Sequence, residues 1–396
     1  MNKSQSRLLS VDMMRGFTLF LMLFVNDLYI NSVPKWLLHT EAYDDGMGLA
    51  DWVFPGFLFM VGISIPFAMA NRLKIGDSIS KLINHILFRS GSLILISLMI
   101  FNRSRLNEVY VGMSKFTWAI LLYTAIFLVW NNYPKGNNRE TLYKILRGIG
   151  FCMLAYLLFA FRSGGSEDLT WMVRGWWGIL GLIGWGYLVA ALGSLWFRDN
   201  VLKCALLSVF FLILNILHSS TMLSFLSFLQ PVFNVIIEGN IPFIVLSGVL
   251  VGLLIKKYKC TPTVLIHYIL LLSGVSLVLG FFLRNWFIIS KIYATPSWGL
   301  ICNGISLAMF SGFYYLMDVK QYVKGLHLFQ QAGQNSLTTY ILPDVVYIII
   351  WTYGLPVFFY KYLDSPLWCI VGSLAWAYAM LWLALAFKRF HVQLKL

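Results

Sequence analysis

The chain has 396 residues, of which 59% are hydrophobic and only 12% charged. Ordinary soluble domains carry about 45–50% apolar and about 25% charged residues, so a soluble enzyme, a disordered chain and a nucleic-acid binder are excluded. The formal charge of +14 is a membrane-topology signal once its distribution is considered, and the 17% aromatic content fits rings at a bilayer interface.

A bilayer core about 30 Å thick needs roughly 20 apolar residues per helix. Twelve stretches meet or approach that length: 8–30, 51–71, 82–101, 113–131, 143–161, 176–197, 201–218, 240–255, 263–283, 297–317, 335–353 and 367–388. The weakest is 240–255, which is short and begins near Pro242. The reading is an all-α polytopic membrane bundle of about 11–12 transmembrane helices, forming one domain over 1–396. Loops averaging about a dozen residues leave no room for a soluble domain. The first stretch has a basic start and an apolar centre, but no small-residue cleavage site follows, so it reads as a retained helix.

With a cytoplasmic N-terminus, nineteen Lys and Arg fall on inner segments, among them Lys3, Arg7, Lys135, Lys324 and Lys395, and nine on outer loops. That asymmetry predicts both termini inside. Five scattered cysteines with no C-x-x-C pair support neither a disulfide framework nor a metal site.

Ionisable residues inside a span cost about 2.5–3.5 kcal/mol each near its centre, so they mark places where something else is gained. Asp12 and Arg15, three apart on the first helix, read as an interfacial pair that orients it. Asn26 and Asp27 stand near its outer end. The following loop is acidic and holds His39, and Asp51 opens the second span. Of six histidines, His85, His267, His327 and His391 fall on the inner side; His39 and His218 are outer. An imidazole among carboxylates can act as general base or transient nucleophile, or simply be a solvated loop residue. Arg89, about two turns into the third span, and mid-span Asp344 both need partners. Pro343 and Pro55 predict broken helices of the kind that line polar cavities.

The segment RLLSVDMMRGFTLFLMLFVND (Arg7–Asp27) resembles the first helix of the heparan-alpha-glucosaminide N-acetyltransferase family, which includes bacterial homologues. His39 followed by GLADWVFPGFLFMVGISIPFA (Gly48–Ala68) is similar to its histidine loop and second helix. Weaker matches follow in order: Glu238-Gly239, KIYATPSW (Lys291–Trp298) and G-x-N-S-L-x-x-Y at Gly333–Tyr340. Two segments depart from the pattern: DLYINS (27–32) and VGMSKFTWAI (111–120), which lacks the family's Gln-Arg.

The resemblance implies a membrane enzyme that moves acetyl from cytosolic acetyl-CoA to a glucosamine-type amine across the bilayer, here the bacterial cytoplasmic membrane. Acetyl-CoA is then a co-substrate, with no metal. The partners are an amino sugar or glycan acceptor, membrane lipids and a second copy in a homodimer, and no nucleic acid. His39, Asn26 and Asp27 become the catalytic candidates, with Asn26 orienting the imidazole or meeting the developing oxyanion. Arg15, Arg72 and Arg89 become candidates for the coenzyme phosphates, and Asp12, Asp51 and Asp344 orienting groups. Two alternatives remain open: an O-acyltransferase of envelope glycans and an amino-sugar transporter. Within the first reading, direct attack and an acetyl-histidine intermediate are both open.

Overall fold

The computed structural model describes residues 8–134, 136, 139–165, 168–322, 325–362 and 365–396. Lys3, Arg7, Lys135 and Lys324 of the charge count lie outside the described residues.

All twelve predicted stretches are helices: α1 Leu9–Asp27, α2 Leu49–Lys74, α3 Ile79–Asn102, α4 Lys115–Trp130, α5 Glu140–Ala160, α6 Gly178–Phe197, α7 Val201–Ser219, α8 Asn240–Lys257, α9 Pro262–Leu283, α10 Pro296–Tyr314, α11 Ser336–Thr352 and α12 Pro366–Arg389. Among the described residues ten helical stretches are long and apolar enough to cross a bilayer, and α4 and α11 are shorter apolar helices. Helix starts follow local chemistry. Ser78, Ser114 and Asn200 cap α3, α4 and α7 through side-chain oxygens, and Pro opens α9, α10 and α12, where its missing N–H costs nothing.

The predicted breaks at Pro55 and Pro343 do not occur. α2 runs unbroken through Pro55 and Pro66, and α11 through Pro343. Neighbouring helices can absorb the single backbone hydrogen bond a buried proline forfeits. The weakest stretch, 240–255, is the core of the bundle: 83% of the best window in Ser224–Lys257 is buried, against 17% for α5. By contrast α5, α7 and α9 expose apolar side chains such as Phe159, Phe210 and Val278, as lipid-facing helices do.

In lipid, burying apolar side chains gives little drive for helix association, so close backbone packing carries it. α2 and α8 cross at Gly62 and Gly248. A Cβ at Gly248 would lie 2.1 Å from the Phe59 carbonyl oxygen, and one at Gly62 would lie 2.0 Å from that of Val245. Gly16 of α1 and Gly333 of the short helix His327–Gln334 make a second such crossing. Gly248→Val is therefore expected to cost about 1–3 kcal/mol, since the helices must separate. Gly274→Ala, on an open face of α9, should cost nothing. Thermal unfolding followed by intrinsic fluorescence in detergent checks the pair; equal midpoints would contradict this packing.

The N-terminal end of α1 meets the C-terminal side of α10, where Asp318 accepts from the backbone N–H groups of Leu9 and Ser10 at 3.1 and 3.0 Å. The segment after α12 reaches Asn131, beyond α4, and Thr338 near the start of α11. These elements share one face of the bundle, opposite the His39 loop.

Candidate active site

The histidine loop is built around Asp51. This residue sits in the first turn of α2, where a carboxylate is favoured by the helix dipole, and it is 1% exposed. Its Oδ2 accepts from the backbone N–H groups of Gly48 and Thr40, both at 3.0 Å, and from the Thr40 hydroxyl at 2.9 Å. Its Oδ1 lies 2.7 Å from His39 Nδ1. A carboxylate at that distance assigns the proton to Nδ1, which makes Nε2 the nitrogen with a lone pair to offer, the arrangement of a histidine base with its orienting acid. The imidazole is half exposed.

Lys291 completes the cluster. Its Nζ lies 3.1 Å from His39 Nδ1, 3.4 Å from Nε2 and 3.9 Å from Asp51 Oδ1. Burial pulls the Lys291 ammonium below the usual lysine range, opposed by the Asp51 charge. The loop carrying it is clamped to the histidine loop. Asp45 accepts from Arg284 Nε and from the Ile289 N–H, both at 2.8 Å, and the Ser290 hydroxyl donates to the Ala42 carbonyl at 2.8 Å. The Ile289 N–H and the Arg284 cation hold the Asp45 carboxyl below the usual carboxylate range. Lys291 lies within KIYATPSW, but no role was read for it; a lysine beside aromatics in an outer loop was the signal.

Asn26 does not orient the ring. It is exposed and makes no hydrogen bond among the described residues. Instead it lines a cavity of about 320 Å³ with Arg103, Asp344, Tyr347, Trp351, Lys361 and Trp376. Asp344 finds the partners it needed 221 and 241 residues away: the Tyr123 hydroxyl donates to it at 2.5 Å and Arg103 Nη1 at 3.3 Å.

Asp27, a catalytic candidate from sequence, is fully buried with both oxygens engaged. It accepts from the hydroxyls of Tyr347 and Tyr360, the latter at 2.6 Å, and from Lys361 Nζ at 2.8 Å. Burial and the Asp27 charge hold the Tyr360 phenol well above its ordinary pKa, so it remains a donor. Asp27 thus ties the end of α1 to α11 and to the turn at 356–361.

A second cavity, of about 280 Å³, opens in the other half of the bundle. Arg15 and Arg89 both line it, with Ser64, Tyr187, Gln334 and Lys395. Arg15 donates to Ser64 Oγ and, at 3.5 Å, to the Gly333 carbonyl. Arg89 stacks 4.6 Å above the Tyr187 ring, and its Nε is buried without a partner among the described residues. Asp12, 2% exposed, accepts from Gln334 Nε2 at 3.2 Å and so helps fix α1. Arg72 is not in this cavity. It pairs with Asp77 at 3.0 Å in the α2–α3 turn, where Lys81 also pairs with Asp77 at 2.7 Å.

The two cavities follow the same helix faces. α1 contributes Arg15, Leu19 and Met22 to one and Leu23 and Asn26 to the other. α3 contributes Arg89 and Leu93 to the first and Ile100 to the second, and Arg103, just past its C-terminal end, also lines the second. Tyr340 of α11 lines both and stands between them. His39 borders neither cavity; it lies on the loop that leaves α1 a turn beyond Leu23 and Asn26.

No family model matches the chain. A stretch of 99 residues, 25% of the chain, is 39% identical to heparan-alpha-glucosaminide N-acetyltransferase of Mus musculus. For the Homo sapiens enzyme of the same name the identity is 41% over 96 residues, 24% of the chain. In each case the match spans only 14% of the relative's length. Over that quarter of its length the chain is thus a distant relative of these acetyltransferases.

Proposed function

We propose that this protein is a membrane-embedded acetyltransferase. It takes acetyl from acetyl-CoA held at the Arg15–Arg89 cavity and delivers it to the amine of an amino sugar or glycan on the His39 face. The observation that carries this reading is the pair of cavities that share Tyr340, one with Arg15, Arg89 and Lys395 and no Asp or Glu in its lining, the other lined by aromatics, the Asn26 amide and Asp344 together with Arg103 and Lys361. The excess of Lys and Arg on the Arg15 side supports reading that side as cytosolic, where acetyl-CoA is made, and the His39 face as extracytoplasmic. The phosphates stay with the arginines by charge-assisted hydrogen bonds while the thioester arm points toward Tyr340.

The residues of the His39 face supply the rest. His39 Nε2 takes the proton that the amine loses as its nitrogen bonds to the acetyl carbon. The carbon–sulfur bond breaks, and the departing thiolate takes up a proton to leave as free coenzyme. Asn26 offers its amide N–H to the carbonyl oxygen as that oxygen gains charge. Tyr347, Trp351 and Trp376 offer ring faces to a sugar. A half-exposed ring at the bundle surface suits a base that meets an acceptor arriving from outside.

Purified protein given acetyl-CoA and glucosamine is expected to yield N-acetylglucosamine, seen by mass spectrometry as an amide. An ester product would move the reading to O-acylation. Arg89→Gln should raise the KM for acetyl-CoA by about tenfold, the weight of one charge-assisted hydrogen bond, with a smaller change in kcat. The same pair of cavities also suits a carrier with alternating access. Sugar uptake by sealed vesicles lacking acetyl-CoA, with no acetylated product, would favour that second reading.

A further inference from the structure

Four hydrogen bonds, two between backbone groups and two from backbone N–H to side-chain oxygens, build the residues after α12 into the wall of the basic cavity. Asn132 N–H donates to the Gln393 carbonyl at 2.7 Å, and Lys395 N–H to the Trp130 carbonyl at 2.9 Å. Gln393 N–H donates to Asn131 Oδ1 at 2.8 Å, and Leu394 N–H to Thr338 Oγ1 at 2.9 Å. Leu394 is 4% exposed and forms an antiparallel bridge with Asn131. The segment is therefore a strap joining the end of α4 to the start of α11, and it carries Lys395 and Leu396 to the cavity that Arg89 lines. No Asp or Glu is among the lining residues of this cavity. Cations gathered from separate elements around a partly enclosed space, with no acidic side chain among them, are an electrostatic arrangement for a multiply charged anion.

We propose that Lys395 is a phosphate-binding residue of this cavity, presented by the strap, and that it replaces Arg72 in the set read from sequence. The inference rests on the proposed function for the identity of the anion, a coenzyme carrying several phosphates. The strap fixes the backbone at Lys395 and over the two residues before it, so little ordering entropy is lost when its side chain engages the ligand.

Binding of CoA and of phosphate-free pantetheine to the detergent-solubilised full chain, measured by calorimetry, tests this. Lys395→Gln is expected to weaken CoA binding about tenfold and to leave pantetheine unchanged, with Lys395→Arg recovering most of the loss. The side chain is exposed, so the thermal midpoint should not move. CoA affinity in Lys395→Gln within about twofold of wild type, less than half a kcal/mol, would overturn the inference and leave the function standing. Equal loss for CoA and pantetheine would also overturn it, by showing a structural role. Failure of the wild-type chain to bind CoA at all would remove the functional reading, and the inference with it.

Discussion

His39→Ala is expected to lower kcat for acetyl transfer by about 10²–10⁴, the usual contribution of a positioned general base. Stability should change little, because the ring is half exposed and its loss leaves Asp51 with three of its four hydrogen-bond donors. Initial rates with purified protein, alongside thermal unfolding of the same preparation, separate the two effects. A variant that keeps its fold and its full rate would remove His39 from the chemistry. The Asp51 carboxylate makes the expectation specific: the ring is held through Nδ1, so the nitrogen lost to the reaction is Nε2.

Asp27→Ala is expected to destabilise the protein by about 3–5 kcal/mol, the usual result of deleting one partner of a buried ion pair. Asp27 is fully buried, and Lys361, with 16% of its side chain exposed, would keep a charge with no carboxylate beside it. Two tyrosine hydroxyls would lose their acceptor as well. This outcome separates a holding role from a catalytic one. Asp27→Asn should lower the unfolding midpoint and loosen the Tyr347–Lys361 wall of the cavity that Asn26 lines, so that rate falls with stability. A variant with wild-type stability and no activity would return Asp27 to the reacting groups.

The helices were legible because the bilayer constrains them. Every spanning segment must satisfy its own backbone in lipid, so length and apolarity alone locate it. The same rule hid the role of 240–255, since a central helix and a marginal lipid-facing one look alike by hydropathy. His39 and Asp51 were legible because twelve residues and one helix start separate them. Tertiary pairings were not: the requirement that Asp344 have a partner could be deduced, but the partner, Arg103, lies 241 residues away. Lys395 was counted only as a topological charge, because nothing in its neighbours shows that Trp130 and Thr338 will fold a strap around it. Asp27 read as reactive because a carboxylate near a helix end is usually wet; Tyr360 and Lys361, which bury it, come from the far end of the chain.

In the proposed function acetyl crosses the bilayer through the protein while the coenzyme stays on one side. Proteoliposomes with radiolabelled acetyl-CoA on the Arg15 face and glucosamine on the His39 face test it directly. The account predicts labelled N-acetylglucosamine on the sugar side, with no coenzyme there. Labelled product formed only when both substrates share one face would contradict it.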